Sequence, residues 1–118
     1  MSLAEEAFVY VTTTGRKSGL PREIEIWFVV RGGAIYILAE HGCGAQWVMN
    51  VLEQPRVKVK LGSVSFEATA RVLDAATDAD AWRKAQDLAR AKYGWGDGLP
   101  VEILPDAPIP ELEPSAQR

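Results

Sequence analysis

Thr12-Thr13-Thr14-Gly15-Arg16-Lys17-Ser18-Gly19-Leu20-Pro21-Arg22 is followed at once by Glu23-Ile24-Glu25-Ile26-Trp27-Phe28-Val29-Val30. The first stretch is a turn dense in cations and hydroxyls; the second alternates polar and apolar residues at first with period two, the pattern of a strand. The turn therefore joins strand to strand. A nucleotide P-loop would carry a glycine five residues before Arg16-Lys17-Ser18 and open into a helix, whereas here Pro21 stands where that helix should begin. Gly15 and Gly19 let the backbone take positive φ and approach a ligand, while Arg16, Lys17 and Arg22 bring charge and Ser18 a hydroxyl. The pattern suits an anion, with phosphate as the first candidate. A solvated basic hairpin is the other reading of the same residues.

On either side of the turn, Ala7 to Thr14 reads as a strand and Arg22 to Arg31 as a second, with Ala34 to Ala39 as a third beyond the Gly32-Gly33 turn. The third is nearly all apolar, which predicts burial on both faces or a central place in the sheet. Ala45 to Gln54 spaces Trp47, Val48, Val51 and Leu52 as a short amphipathic helix, ended by Pro55. Arg56 to Leu61 and Val64 to Val72 alternate strictly, joined by Gly62-Ser63 as a tight hairpin. A longer helix runs from Thr77, its expected cap, to about Tyr93, with Trp82, Ala85, Leu88, Ala89 and Lys92 on one face. Leu99 to Leu104 is a last strand. The expected architecture is mainly β with helices: about six antiparallel strands forming a small barrel with one short and one longer helix at its openings, or a half-open sandwich.

The chain has 118 residues, enough for one core, so residues 1–104 form a single domain and 105–118, rich in proline and acid, an extended or disordered tail. Hydrophobic residues at 47% mark a globular chain. No apolar run approaches the ~20 residues of a membrane span and the acidic start is unlike a signal peptide, so the expected compartment is the cytoplasm. Cys43 is the only cysteine, which excludes an internal disulfide and a cysteine-rich zinc site, and no metal is expected. A net charge of −3 argues against nucleic acid; the cations concentrate at 16 to 22 and 56 to 60, which suits a small anionic molecule.

Taken as an ordered set, the turn at 12 to 22, the apolar strand ending near Ala39, Trp47-x-x-Asn50 and Gln54-Pro55-Arg56-Val57 are similar to the deazaflavin-dependent nitroreductase family over roughly residues 8 to 103. The resemblance implies a split β-barrel related to flavin mononucleotide (FMN) binding proteins. It also implies binding of coenzyme F420, a deazaflavin with a phosphate and an oligoglutamate tail, and hydride transfer from its reduced form to a nitroaromatic, quinone or enone. Position by position, Arg16, Lys17, Ser18 and Arg22 match the phosphate turn, and the stretch on to Ile26 and Trp27 lies along the cofactor. Leu38, Ala39 and His41 match a loop at the ring, with Trp47 and Asn50 on the helix beside it. Tyr93 corresponds to a substrate contact or proton donor. The chain departs from the family pattern in carrying Val48 and Met49 where a further aromatic commonly follows Trp47.

The residues themselves leave alternatives open. Trp47 fits a core helix face as well as the wall of a planar cofactor. Asn50 fits a ring carbonyl or a backbone cap, and His41 fits a proton donor, a haem ligand or plain solvent exposure. Arg56, Lys58 and Lys60 make a cationic stripe that either attracts an anionic tail or guards a sheet edge. Two other functions share the fold: an FMN-dependent oxidoreductase, and a non-catalytic carrier of a deazaflavin, haem or lipid. A homodimer is expected from the apolar faces of small barrels.

Overall fold

The computed structural model describes residues 3–112. Seven strands form one sheet: β1 (Val9–Thr14), β2 (Pro21–Ile26), β3 (Val29–Arg31), β4 (Ala34–Ala39), β5 (Arg56–Leu61), β6 (Val64–Val72) and β7 (Leu99–Pro105). Their order is β2-β1-β5-β6-β7-β4-β3, and every neighbouring pair is antiparallel. Strands β2 and β3 follow one another in the chain yet lie at opposite edges of the sheet, joined only by Trp27-Phe28. Three Cα steps span at most about 11 Å, so the sheet must curl until its two edges nearly meet. That seam, crossed by the chain but without ladder hydrogen bonds, makes the barrel a split one.

The seam also corrects the strand count. The expected strand from Arg22 to Arg31 is two strands, because Phe28 and Val29 are both buried and the alternation of Ile24 and Ile26 breaks there. The all-apolar β4 is buried at every position, as its composition predicts. Ile35 and Ile37 face the barrel core with Val11, Val59 and Ile103, whereas Ala34, Tyr36 and Leu38 lie under the long helix. Strands β5 and β6 alternate as expected, with Val57, Val59, Ala68 and Ala70 turned inward.

Helix α1 (Gln46–Glu53) buries Val48 and Val51 against the barrel. Helix α2 (Ala79–Tyr93) covers the outside of β3 and β4 through Trp82, Ala85 and Ala89. Its start differs from expectation. Thr77 does not cap it; Asp78 holds the cap position, and its carboxylate accepts from the Asp74 N–H at 2.8 Å and from Arg71. Leu88 is exposed and not on the packed face, where Tyr93 takes part instead.

The segment after Pro105 is not extended throughout. Asp106 accepts two hydrogen bonds from Arg56 at 2.7 and 2.6 Å, and a 3-10 turn at Pro110–Leu112 inserts Leu112, fully buried, into the barrel core. Proline restricts a chain without preventing an apolar side chain from docking, and Ile109 and Leu112 supply the apolar area. The rest of the expected tail, residues 113–118, lies outside the described residues. No helix among the described residues is long and apolar enough to cross a membrane.

Candidate functional site

The loop between β1 and β2 is held from within. The Gly15 N–H donates to the Leu20 carbonyl at 2.8 Å, and the Gly19 N–H to the Gly15 carbonyl at 2.8 Å. Gly19 takes a left-handed φ of +73°, as the turn requires; Gly15 does not, and is needed because an added Cβ would lie 2.7 Å from Ser18 Oγ. Ser18 Oγ accepts from the Leu20 N–H at 3.1 Å, which leaves the hydroxyl proton free to donate outward.

Asn50 ties this loop to α1. Its Oδ1 accepts from the Arg16 backbone N–H at 3.2 Å and from Arg16 Nη1 at 2.9 Å, while Nδ2 donates to Thr13 Oγ1 at 3.2 Å. Asn50 is 5% exposed and Thr13 1%, so these bonds are made in a dry setting, where an unpaired polar group is costly. The amide therefore aims Arg16 and does not reach outward itself. Among the described residues none of Arg16, Lys17 and Arg22 pairs with a carboxylate, although the chain as a whole is acidic.

The loop opens onto a groove of ≈ 510 Å³ lined by Arg16, Lys17, Ser18, Arg22, Trp47 and Asn50. A second groove of ≈ 630 Å³ is lined by Phe8, Glu25, Ile26, Trp27, Leu38, Ala39, Glu40, His41, Ala45, Trp47 and Trp95. Trp47 belongs to both. It is half-buried and packed against the core, as one reading of its sequence has it, and it stands between a cationic groove and an aromatic one.

Every expected binding residue thus lies on one groove or the other. Tyr93 does not. Its ring stacks on Trp27 with centroids 4.3 Å apart and an angle of 4°, and its hydroxyl donates to the Ala7 carbonyl at 2.7 Å and accepts from the Phe28 N–H at 3.2 Å. His41 is exposed, with Nε2 4.0 Å from Glu40. Of the cationic stripe, Arg56 is taken up by Asp106, Thr69 and Glu67, whereas Lys58 and Lys60 stand exposed.

Sequence reasoning missed Phe8 as a groove residue, and it gave Lys92 a helix face but no contacts. Lys92 Nζ lies 3.8 Å over the Phe28 ring and donates to the carbonyls of Ala4 at 2.9 Å and Phe28 at 3.1 Å. Burial pushes its ammonium down to about 8, from an ordinary value of 10.5. Between pH 8 and 10.5 the unfolded chain then holds more protons than the folded one, so stability rises with pH across that window; below pH 8 both states are protonated and the burden is complete. Urea midpoints should therefore climb from pH 8 to 9.5, and Lys92→Met should flatten the climb. Above about pH 10 the half-buried Tyr93 hydroxyl, pushed up by desolvation, acts with the opposite sign.

A family model for F420H(2)-dependent quinone reductase matches residues 2–104. The chain belongs to that family. It is an F420-dependent reductase, and its cofactor is coenzyme F420. A solved F420-H2 dependent reductase, FDR-A, is 29% identical with a TM-score of 0.65, covering 83% of this chain and 93% of that one. A chain described as a domain-swapped dimer is 28% identical with a TM-score of 0.60, covering 83% and 79%. HutZ, a heme storage protein from Vibrio cholerae, has a TM-score of 0.72 at 16% identity, covering 89% and 85%. At that identity the likeness shows the fold alone, a split barrel of the FMN-binding kind.

The residues of these two grooves fit the chemistry of coenzyme F420. The donor set on the loop is cationic and unpaired with carboxylates, which suits a phosphate. The aromatic compartment next to it suits a flat ring, and one wall, Trp47, joins the two.

Proposed function

We propose that this reductase acts on quinones, with nitroaromatics and activated enones as poorer acceptors. The observation that carries the reading is the pair of grooves sharing Trp47. The cationic one, with Arg16, Lys17, Ser18 and Arg22, takes the cofactor phosphate; the other, between Ile26, Leu38, Ala39, His41 and Trp47, takes the ring. Bound in its reduced form, F420 supplies a hydride. The chain's own residues bind, orient and dry the site. Asn50 fixes the Arg16 guanidinium, so the phosphate end meets donors already in place. Phe8, Trp27 and Trp95 offer flat apolar surface on the acceptor side, which favours a planar aromatic substrate over a small aliphatic one. The proton that completes a hydroquinone comes from solvent at the rim where His41 is exposed.

We further expect a homodimer, on the likeness to the chain described as a domain-swapped dimer. The exposed thiol of Cys43 suits the reducing cytoplasm.

The test is anaerobic turnover of reduced F420 with menadione, a nitroaromatic and cyclohexenone. Menadione should give a kcat/KM at least about tenfold above the others, the worth of roughly one well-placed contact. Preference for the nitroaromatic or the enone would replace the acceptor. Binding of F420 without turnover of any acceptor would make the protein a carrier.

A further inference from the structure

The link Trp27-Phe28 crosses the barrel seam between β2 and β3 and pairs with no strand, so its backbone groups need partners from elsewhere. Those of Phe28 find them on the last turn of α2. The Phe28 N–H donates to the Tyr93 hydroxyl, and the Phe28 carbonyl accepts from Lys92 Nζ. The same two side chains reach the N-terminal segment, Lys92 at the Ala4 carbonyl and Tyr93 at the Ala7 carbonyl. On its other side that segment rests on the β5–β6 hairpin, where a Cβ on Gly62 would come 2.9 Å from Leu3 Cδ2. Phe8, next to Ala7, and Trp27, next to Phe28, are 42% and 41% exposed, and both line the aromatic groove. The Tyr93 ring stacked on Trp27 fixes the tilt of that indole.

We propose that Lys92 and Tyr93 are positioning residues for the acceptor: by pinning the N-terminal segment and the seam link to the end of α2, they hold Phe8 and Trp27 as fixed walls of the aromatic groove. This rests on the proposed function in so far as that groove takes the acceptor. A role in closing the barrel alone would be served as well by a hydrophobic side chain, since a half-buried ammonium carries a desolvation penalty. What the ammonium adds is reach: one atom joins two chain segments that are 24 residues apart, at Ala4 and Phe28. Neither residue touches the cationic groove, so cofactor and acceptor binding should separate in their response.

The experiment compares the wild-type chain with Tyr93→Phe and with Lys92→Met/Tyr93→Phe. Amide exchange over residues 3 to 8 and 27 to 28 should speed up in both variants, more in the double one. The KM for menadione should rise about tenfold in the double variant, while F420 affinity, read by tryptophan quenching, stays within about twofold. Tyr93→Phe keeps the ring stack and should fall between, which provides a readable variant if the double one does not fold. Faster exchange with an unchanged menadione KM would overturn the proposal, leaving a purely structural latch; an equal loss of cofactor affinity would overturn it as well. If the wild type binds no F420, the proposed function fails by itself, and the latch is then judged on menadione quenching of tryptophan emission without cofactor. There a tenfold weaker quench in the double variant supports the proposal and an unchanged one overturns it.

Discussion

Asn50→Ala is expected to lower stability by about 3 kcal/mol and F420 affinity about a hundredfold. Removing the amide leaves the half-buried Arg16 N–H and guanidinium and the buried Thr13 hydroxyl without this partner. Each stranded buried group costs about 1–3 kcal/mol. The loss of affinity follows because Arg16 no longer points into the groove, and about 1.4 kcal/mol is a factor of ten. Urea unfolding reads the first effect and a fluorescence titration the second. Asn50→Asp separates positioning from charge. It keeps both acceptor bonds to Arg16, so stability should change by less than about 1 kcal/mol, yet its carboxylate neutralises the guanidinium and should still weaken F420 binding about tenfold. Equal stability losses in the two variants would argue against the role given to the amide.

The second large effect concerns the loop's other cations. Lys17→Ala/Arg22→Ala should leave stability within about 0.5 kcal/mol, because both residues are exposed and lack carboxylate partners among the described residues. F420 affinity should fall by a factor of about a hundred to a thousand, from two charge-assisted contacts of about 1.5–3 kcal/mol each. The menadione KM, measured at saturating cofactor, should not move. The wild-type dissociation constant should also rise with salt more steeply than that of the double variant, since exposed charges are screened. A double variant that bound F420 normally would place the phosphate somewhere other than this loop.

Much of the architecture was legible because it is written in local pattern. Strict alternation in 56–61 and 64–72, the apolar run 34–39 and the Gly62-Ser63 turn each describe a neighbourhood of a few residues. The break at Trp27-Phe28 was half visible: Glu-Ile-Glu-Ile alternates and Trp-Phe-Val-Val does not. What no local pattern contains is that these two residues cross from one edge of the sheet to the other. Asp78 stands at the cap position in place of Thr77, and its carboxylate bonds Arg71, a partner on β6 that the helix sequence does not reveal. Leu112 was hidden among prolines, although its side chain docks in the core.

The site divides in the same way. The cationic loop between β1 and β2 is a contiguous motif, and Asn50 stands out by its spacing from Trp47. Its true partners, Arg16 and Thr13, lie 34 and 37 residues away. The Lys92 and Tyr93 contacts reach across 64 to 88 residues, and an amphipathic helix pattern assigns Lys92 only a face. Tyr93 was expected at the substrate through family likeness; its hydroxyl is instead bonded to backbone at the seam. Phe8 is one residue outside β1, where alternation stops giving directions.

The most direct test of the two-groove site is a titration of the wild-type protein with reduced F420, oxidised F420 and FMN, following intrinsic tryptophan fluorescence. Trp47 walls both grooves and should report either end being filled. Saturable quenching by F420 at micromolar concentration or below is expected, with FMN at least about tenfold weaker. Tighter binding of FMN, or no response to F420, would contradict the two-groove site.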